Sequence, residues 1–163
     1  MKRRCVFLDR DGVINVKPAV GTYIKSWQEF TFTPGIISWI RIFNALDLLV
    51  VVVTNQRGVA RGVVRHEDLD NIHHRMREQL AQAGAYIDDI FYCPHELNIC
   101  DCRKPGTGMV MEAERKWDID LSQSIMIGDS DCDRELAAKC GMRFIHVQNG
   151  EVIGVVDKVW STI

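Results

Sequence analysis

Residues 48–56 read LLVVVVTNQ, in which a run of six apolar residues ends directly in three polar ones. Consecutive valines favour an extended strand, because branching at Cβ restricts the side chain and suits a pleated surface. A strand that is apolar at every position, rather than at alternate positions, is expected to be buried on both faces. The stretch therefore predicts a parallel sheet that is covered by helices on both sides.

Similar strand-like segments recur along the chain, and helical patterns separate them. The predicted strands are residues 4–8, 48–53, 89–92, 124–127 and 143–147, and the predicted helices are residues 35–45, 66–83, 108–117 and 131–140. Pro34 is expected in the first turn of the first helix, and Gly84 and Gly141 are expected to end the second and fourth helices. The alternation predicts a Rossmann-like α/β fold with a doubly wound parallel sheet.

The length of 163 residues predicts a single domain over residues 1–163, with the segment after Gly150 as a short extension of it. A composition of 47% hydrophobic and 26% charged residues is typical of a soluble globular protein. The net charge of −2, without a basic stripe, argues against nucleic-acid binding. The apolar runs are too short to cross a membrane, and the first residues lack a signal-peptide pattern. We expect a cytoplasmic monomer without a membrane or nucleic-acid partner.

The first predicted strand is followed by Asp9-Arg10-Asp11-Gly12. Aspartate and glycine both favour turns, so one interpretation of this segment is purely structural. A calcium loop is a second interpretation, although the segment lacks the ligand series and the closing glutamate of an EF-hand. The third interpretation is catalytic: Asp9 is a carboxylate nucleophile that forms an aspartyl-phosphate, and Asp11 is the general acid and then the general base.

Polar residues beyond the other strands favour the catalytic interpretation, because ligands of such sheets bind at the carboxyl ends of the strands. Thr54 offers a hydroxyl after the second strand, and Lys104 offers a positive charge beyond the third. Asp129 follows the fourth strand and, with Asp9, supplies the oxygen ligands that Mg²⁺ prefers. Taken singly, Thr54 and Lys104 are ordinary surface residues. Their order after successive strands predicts a phosphoryl-transfer site in which charge neutralisation dominates.

Residues 93–105, CPHELNICDCRKP, concentrate cysteine and histidine in a short segment. Three cysteines and one histidine there form a Cys₃His set, which predicts a closed, tetrahedral and structural zinc site: Cys93, His95, Cys100 and Cys102. A redox site is a weaker alternative, because Cys-x-x-Cys is absent. The remaining alternative is a loop with unliganded surface cysteines. The other three cysteines are expected in or near the core: Cys5, Cys132 and Cys140.

The segments DRDG, TN, the lysine of RKP and GDSDCD resemble, in this order, the four motifs of the haloacid dehalogenase-like phosphatases, over residues 4–147. The resemblance implies catalysis by Asp9, Asp11, Thr54 and Lys104, and magnesium binding by Asp9, Asp129 and Asp11. For Asp11 it implies a main-chain carbonyl ligand. It also implies that Asp133 orients Lys104.

CPH…CDCRKP and TNQRGVARG further resemble the heptose 1,7-bisphosphate phosphatases and the related histidinol-phosphate phosphatases, which share a zinc loop of this type. The resemblance implies a phosphorylated sugar substrate that loses its 7-phosphate on the route to nucleotide-activated heptose for surface glycans. It implies substrate contacts from Asn55, Gln56, Arg57 and Arg103.

The chain also departs from the heptose pattern. Its zinc loop is short, as in the histidinol enzymes, and Ser130 stands where some heptose enzymes have lysine. Histidinol-phosphate hydrolysis is therefore an alternative, and a noncatalytic zinc-bearing binding module is an alternative of another class. The intervals between motifs leave no room for a cap domain, so the loop of residues 15–32 and the zinc loop must shape the pocket. Tyr23 and Trp27 in that loop either line the pocket or pack as ordinary core residues.

Overall fold

The computed structural model describes residues 2–148 and 151–152, and within them six strands form one sheet. The strands are β1 (Cys5–Leu8), β2 (Leu49–Asn55), β3 (Asp89–Cys93), β4 (Ile125–Gly128), β5 (Arg143–Gln148) and β6 (Glu151–Val152). Their order is β3-β2-β1-β4-β5-β6, and the first five strands along the chain are parallel. β6 pairs antiparallel with β5. The predicted doubly wound α/β fold is confirmed.

Four helices connect the parallel strands: α1 (Ile36–Ala45), α2 (His66–Gln82), α3 (Gly108–Trp117) and α4 (Asp131–Lys139). Short 3₁₀ turns lie at Trp27–Glu29 and Leu121–Gln123. Every predicted strand and helix is present, with ends that differ by at most two residues. None of the helices in the described part of the chain is long and apolar enough to cross a membrane.

Two boundary predictions are wrong for identifiable reasons. Thr54 and Asn55 do not follow β2 but belong to it, because they pair with Tyr92 and Cys93 of β3. Pro34 is not in the first turn of α1. Gly35, with a φ of 80°, is the N-cap, so helical geometry begins only at residue 36.

The two faces of β2 explain its uninterrupted apolar sequence. Val50 and Val52 lie in one apolar cluster, with residues of α1 and α2. Val51 and Val53 lie in a second cluster on the opposite face, with residues of α3 and α4. All four are fully buried, and burying one such side chain stabilises the fold by about 1.5–3 kcal/mol.

The strand order places a crevice beside β1. From β1 the chain moves outward through β2 and β3, and it then returns to the other side of β1 as β4. Such a reversal opens a crevice at the carboxyl ends of the two strands that flank it. Asp9 follows β1 directly, Asp129 follows β4 directly, and the Asp9 N–H donates to the Ile127 carbonyl at 3.0 Å. The fold therefore brings two predicted site residues together.

The loop between β1 and α1 carries Tyr23 and Trp27, for which the sequence allowed either a place in the pocket or a place in the core. Trp27 stacks on Phe30 with ring centroids 4.9 Å apart and packs against the core. Tyr23 lines the cleft at the crevice. Of the segment after Gly150, residues 151–152 form β6, and the rest of the predicted extension lies outside the described residues.

Candidate active site

Asp9 is buried at the carboxyl end of β1. Its Oδ1 accepts a hydrogen bond from the main-chain N–H of Arg10 at 2.7 Å and lies 2.9 Å from the Nζ of Lys104. Burial raises the pKa of Asp9 to about 7, although the Lys104 ammonium opposes this rise. Further positive charge beside Asp9 would lower the pKa and keep the carboxylate ionised at neutral pH.

Lys104 is buried between two carboxylates. Its Nζ lies 2.7 Å from Oδ1 of Asp133, in addition to its contact with Asp9. Burial disfavours its charge, but the two carboxylates raise the pKa of Lys104 above its ordinary value. A buried ammonium in this position is held firmly, because loss of either partner leaves charge uncompensated. The predicted contact between Asp133 and Lys104 is present.

The main chain of Lys104 is held by Asn55, the last residue of β2. The N–H of Lys104 donates to Oδ1 of Asn55 at 2.9 Å, and Nδ2 of Asn55 donates to the carbonyl of Lys104 at 3.1 Å. Both ends of the Asn55 amide are thus engaged by the protein. Asn55, which was predicted to contact the substrate, therefore connects the end of β2 to the main chain at Lys104.

Asp133 is positioned by the first turn of α4. Its Oδ2 accepts hydrogen bonds from the hydroxyl of Ser130 at 2.6 Å and from the N–H of Ser130 at 3.2 Å. The main-chain N–H of Asp133 in turn donates to the Ser130 side chain, and this bond forms a capping box with the bond from the Ser130 N–H. A Cβ at Gly128 would lie 2.3 Å from the Cβ of Asp133, so only glycine fits there. Local capping therefore aims Asp133 at Lys104.

Asp11 lies at the mouth of the site and accepts three sets of hydrogen bonds. Its Oδ1 accepts from Nη2 of Arg10 at 2.8 Å and from Nδ2 of Asn15 at 2.9 Å, and its Oδ2 accepts from Nε2 of Gln56 at 2.9 Å. Burial would raise the pKa of Asp11, but the Arg10 guanidinium and these hydrogen bonds lower it below its usual value. The carboxylate is therefore ionised and fixed in orientation.

Arg10 is fully buried and connects Asp11 to α2. Its Nη1 lies 3.2 Å from Nε2 of His73. Arginine can only donate, so His73 accepts at Nε2 and carries its proton at Nδ1. Burial and, after it, the positive charge of Arg10 lower the pKa of His73 to about 3, although the Asp11 carboxylate opposes this change. The histidine is thus a neutral support for Arg10.

Gln56 joins Asp11 to Thr54. Its Nε2 donates to Oγ1 of Thr54 at 3.0 Å as well as to Asp11, and both Thr54 and Gln56 are buried. The amide that the resemblance assigns to the substrate pocket is therefore bonded to two predicted catalytic side chains. Gln56 holds the carboxylate and the hydroxyl at a fixed distance from one another.

The carboxylate oxygens of Asp9, Asp129 and Asp133 lie within 4.8 Å of one another. Both oxygens of Asp133 are bonded, to Lys104 and to Ser130, whereas the bonds to Asp9 go to its Oδ1 and the bond to Asp129 goes to its Oδ2. Among the described residues, Asp9 and Asp129 are therefore the carboxylates of this group with a second oxygen left for a metal ion. Carboxylate oxygens are the ligands that Mg²⁺ prefers, so the donor chemistry fits this ion.

Asp129 approaches the loop that follows β1 closely, because Gly12 in that loop has no side chain. A Cβ at Gly12 would lie 2.2 Å from Oδ2 of Asp129, and the φ of 93° at Gly12 also favours glycine. The ammonium of Lys17 donates to the same oxygen at 2.6 Å. A cation therefore already lies against this carboxylate, as expected for a cation-binding position.

The four residues of the predicted zinc set come together at the end of β3. Sγ of Cys93 lies 3.5 Å from both Nδ1 of His95 and Sγ of Cys100, and Sγ of Cys102 lies 3.2 Å and 3.3 Å from the same two atoms. A tetrahedral zinc site with Zn–S bonds of about 2.3 Å separates its sulfurs by about 3.7 Å, close to this spacing. Burial and the nearby sulfurs raise the pKa of Cys102 above its usual value. A bound cation would relieve that penalty, so the four residues fit a metal site.

An open cleft of about 360 Å³ lies over Asp9, Asp11 and Asp129. Residues 17–23 form one wall, and Asn55, Arg103 and Lys104 contribute to the other. Nη1 of Arg103 is buried and has no hydrogen-bond partner among the described residues. Arg103 is therefore available to a ligand in the cleft.

Arg57 lies away from this cleft. Its Nε donates to Oε1 of Glu96 in the zinc loop, and Arg61 lies 3.6 Å from the other oxygen of Glu96. Of the four predicted substrate residues, the structure brings Arg103 and Asn55 to the wall of the cleft, and it joins Arg57 to the zinc loop.

Sequence reasoning missed four residues that support the site: Arg10, Asn15, Lys17 and His73. Arg10 lies inside the DRDG motif, and its position between two aspartates was a usable signal. His73 carries a weaker signal, since it falls on the buried face of α2 with Leu69, Ile72 and Met76. No local pattern marks Lys17 or Asn15, because their partners are known only from the folded chain.

Comparison of the chain with known proteins shows the family to which it belongs. Residues 101–152 match the model of the HAD-hydrolase-like family. A D-glycero-beta-D-manno-heptose-1,7-bisphosphate 7-phosphatase of Rhodopseudomonas palustris is 38% identical over 165 residues, covering 96% of this chain and 89% of the relative. The chain belongs to the family of the heptose-1,7-bisphosphate 7-phosphatases. The resemblance to the haloacid dehalogenase-like phosphatases is thereby confirmed.

Other members of this phosphatase family differ in the anomer that their names specify. The D-glycero-alpha-D-manno-heptose-1,7-bisphosphate 7-phosphatase of Mycobacterium tuberculosis (strain H37Rv) is 42% identical over 135 residues, covering 82% of this chain and 70% of the relative. The Campylobacter jejuni protein, also named for the alpha anomer, is 36% identical and covers 93% of this chain and 86% of its own length. Family membership therefore leaves the anomer open.

Solved structures agree with the fold. A D,D-heptose 1,7-bisphosphate phosphatase from B. bronchiseptica, complexed with magnesium and phosphate, superposes with a TM-score of 0.83 at 38% identity and covers 90% of this chain and 83% of its own. A HAD-like phosphatase from Mesorhizobium loti superposes with a TM-score of 0.84 at 27% identity, covering 99% and 84%.

Proposed function

We propose that the chain is a magnesium-dependent phosphomonoesterase that removes the 7-phosphate of D-glycero-D-manno-heptose 1,7-bisphosphate, on the route to nucleotide-activated heptose for surface glycans. The observation that carries the proposal is the buried contact of 2.9 Å between Lys104 and Asp9 at the crevice beside β1, in a chain of this family. An ammonium fixed beside a carboxylate nucleophile suits the attack of that carboxylate on an anionic phosphoryl group.

In the first step, Asp9 attacks phosphorus and the bond to the sugar oxygen breaks, which gives an aspartyl-phosphate. Asp11 donates the proton that the departing oxygen requires. The low pKa of Asp11 in the free enzyme is raised by an anionic phosphate bound beside it, because a like charge disfavours the ionised form. Lys104 and the Thr54 hydroxyl stabilise the negative charge on the phosphoryl oxygens.

In the second step, Asp11 is ionised and accepts a proton from water, which attacks phosphorus and releases inorganic phosphate from Asp9. Gln56, Asn15 and Arg10 hold the Asp11 carboxylate in one orientation through both steps. Positioning of this kind contributes to the rate because the reacting groups start close to the required geometry.

The carboxylates of Asp9 and Asp129 and the carbonyl of Asp11 would hold Mg²⁺. When bound, the ion supplies positive charge that offsets the repulsion between the carboxylates and the phosphate. Cys93, His95, Cys100 and Cys102 would hold a structural Zn²⁺. Since Arg103 and Lys104 follow Cys102 directly, the zinc site would fix the segment that carries these two positively charged side chains.

For the sugar and its second phosphate, we propose contacts from Arg103, which lines the cleft and whose Nη1 has no hydrogen-bond partner among the described residues. Asn55 and Gln56 act on the substrate through Lys104 and Asp11, and Arg57 acts through the zinc loop. We expect the enzyme to act as a monomer in the cytoplasm, which sedimentation velocity and cell fractionation would test.

Phosphate release from both anomers of heptose 1,7-bisphosphate and from histidinol phosphate tests the proposal. We expect faster release from a heptose bisphosphate, loss of activity when Mg²⁺ is omitted, and recovery when Mg²⁺ is added. Asp9→Asn should keep the circular dichroism spectrum of the wild type and lose turnover. Turnover by Asp9→Asn would refute the mechanism. If phosphate is released faster from histidinol phosphate, that compound is the substrate and not heptose bisphosphate. If no phosphate is released from any of them, a noncatalytic binding module is favoured.

A further inference from the structure

Lys17 contacts the candidate metal site without belonging to its ligands. Its Nζ donates to Oδ2 of Asp129 at 2.6 Å. The Asp129 side chain is 10% exposed, whereas that of Lys17 is 57% exposed. The anion is therefore nearly fixed within the crevice, and the cation reaches it from the solvent side on a flexible stem.

A divalent ion and Lys17 compete for the same carboxylate. Gly12 closes one side of Oδ2 of Asp129, since a Cβ there would lie 2.2 Å away, and Asp9 lies across the crevice. An ion held by Asp9 and Asp129 would share Asp129 with the Lys17 ammonium, and two like charges so near one another would repel strongly. The exposed lysine moves at lower cost than the buried aspartate, so the lysine is displaced.

The displaced ammonium stays beside the substrate. Lys17 lines the same cleft as Arg103 and Lys104. Lys104 is bonded to Asp9 and Asp133, whereas Asp129 is the partner that the described residues give to Lys17. When a cation takes Asp129, the charge of Lys17 becomes available at the wall of the cleft.

We propose that Lys17 is the counter-ion of Asp129 in the metal-free enzyme and binds the second phosphate of a bisphosphate substrate once the divalent ion has bound. This inference rests on the proposed function for its substrate class. It makes Lys17 a specificity residue that links metal binding to bisphosphate binding. The phosphate that is not hydrolysed takes the place of the lost carboxylate partner.

Calorimetric titration of the metal-free protein with MgCl₂ tests the first half, without any turnover. Lys17→Met should bind Mg²⁺ about three- to fivefold more tightly than the wild type, because an ion pair of this exposure is worth up to about 1 kcal/mol. Lys25→Met is the matched control: this exposed lysine lies in the same loop but does not line the cleft, and its variant should bind Mg²⁺ as the wild type does. Circular dichroism checks that both variants are folded.

Steady-state kinetics test the second half, with heptose 1,7-bisphosphate and heptose 7-phosphate as a matched pair of substrates. Lys17→Met should raise the KM for the bisphosphate by about tenfold, with kcat and the KM for the monophosphate nearly unchanged. Lys17→Arg keeps the charge and should restore most of the bisphosphate KM.

Two results would overturn the inference. One is Mg²⁺ affinity in Lys17→Met that equals or falls below that of the wild type. The other is an equal change of KM for the bisphosphate and the monophosphate. If the wild type hydrolyses no heptose bisphosphate, the proposed function fails separately, and the MgCl₂ titration still decides whether Lys17 competes for Asp129.

Discussion

Replacing Asp133 with asparagine tests whether the charge of this residue holds Lys104 in the site. The Asp133 side chain is 0% exposed, with Oδ1 at 2.7 Å from Nζ of Lys104 and Oδ2 at 2.6 Å from the Ser130 hydroxyl. Asparagine has almost the same shape and keeps one acceptor oxygen. The substitution therefore removes the negative charge with little change in packing.

The expected cost follows from the burial of the pair. Removing one partner of a buried ion pair costs about 3–5 kcal/mol when the other charge is left uncompensated. Lys104 keeps Asp9 at 2.9 Å, so we expect the lower end of this range, about 3 kcal/mol. In a domain of this size 1 kcal/mol lowers Tm by about 2–4 °C, which predicts a fall of roughly 6–12 °C. Misplacement of the lysine should also reduce kcat/KM by about 100-fold.

Asp131→Asn is the matched control. Asp131 lies in the same first turn of α4, is 87% exposed, and pairs with Arg134 at 3.2 Å. Both variants remove one negative charge from the same end of the helix, so the effect on the helix dipole cancels between them. Melting followed by circular dichroism without added Mg²⁺ should show a change of less than about 1 kcal/mol for the control. If Asp133→Asn melts like the control, the buried ion pair does not hold Lys104 as argued.

Cys100→Ser should leave less than one zinc per chain by elemental analysis and lower Tm by about 5–10 °C, since binding of a structural metal contributes to folding. Cys140→Ser, which lies outside the metal set, should keep its zinc; a metal-free Cys100→Ser that melts like the wild type would contradict the structural role. Gly12→Ala should reduce phosphatase activity by about 100-fold, because its Cβ would lie 2.2 Å from Oδ2 of Asp129. Gly84→Ala is the control, with a similar φ of 72° and no neighbour within 4 Å, so it should pay backbone strain alone and keep full activity.

Much of the fold could be predicted because the signals are local. The valine run of β2 shows by itself that both faces of the strand are buried, and the helical sequence patterns between the strands identify α1 to α4. Boundaries were less predictable, as Pro34 illustrates: whether a residue near a helix start is helical depends on the φ of Gly35, which the surrounding packing decides. The pairing that extends β2 to Asn55 likewise depends on β3.

The candidate site divides in the same way. The four residues of the zinc set lie within ten residues of one another, so spacing alone predicted that they meet. Asp9 and Asp129 were predictable because polar residues follow their strands. The hydrogen bonds from Asn55 to Lys104 and from Gln56 to Asp11 were not predictable, since an amide gives no local sign of which partner it will bond.

The sequence by itself determined the strands, the helices, the zinc set and the order of the polar segments, because these depend on neighbours along the chain. Tertiary structure alone decided that β1 lies between β2 and β4, that Lys104 lies between Asp9 and Asp133, and that Lys17 reaches Asp129. Such contacts join residues up to 119 positions apart, as in the pairing of β1 with β4. Their energy comes from burial and charge pairing that exist only after the crossovers have placed the strands, so no local pattern encodes them.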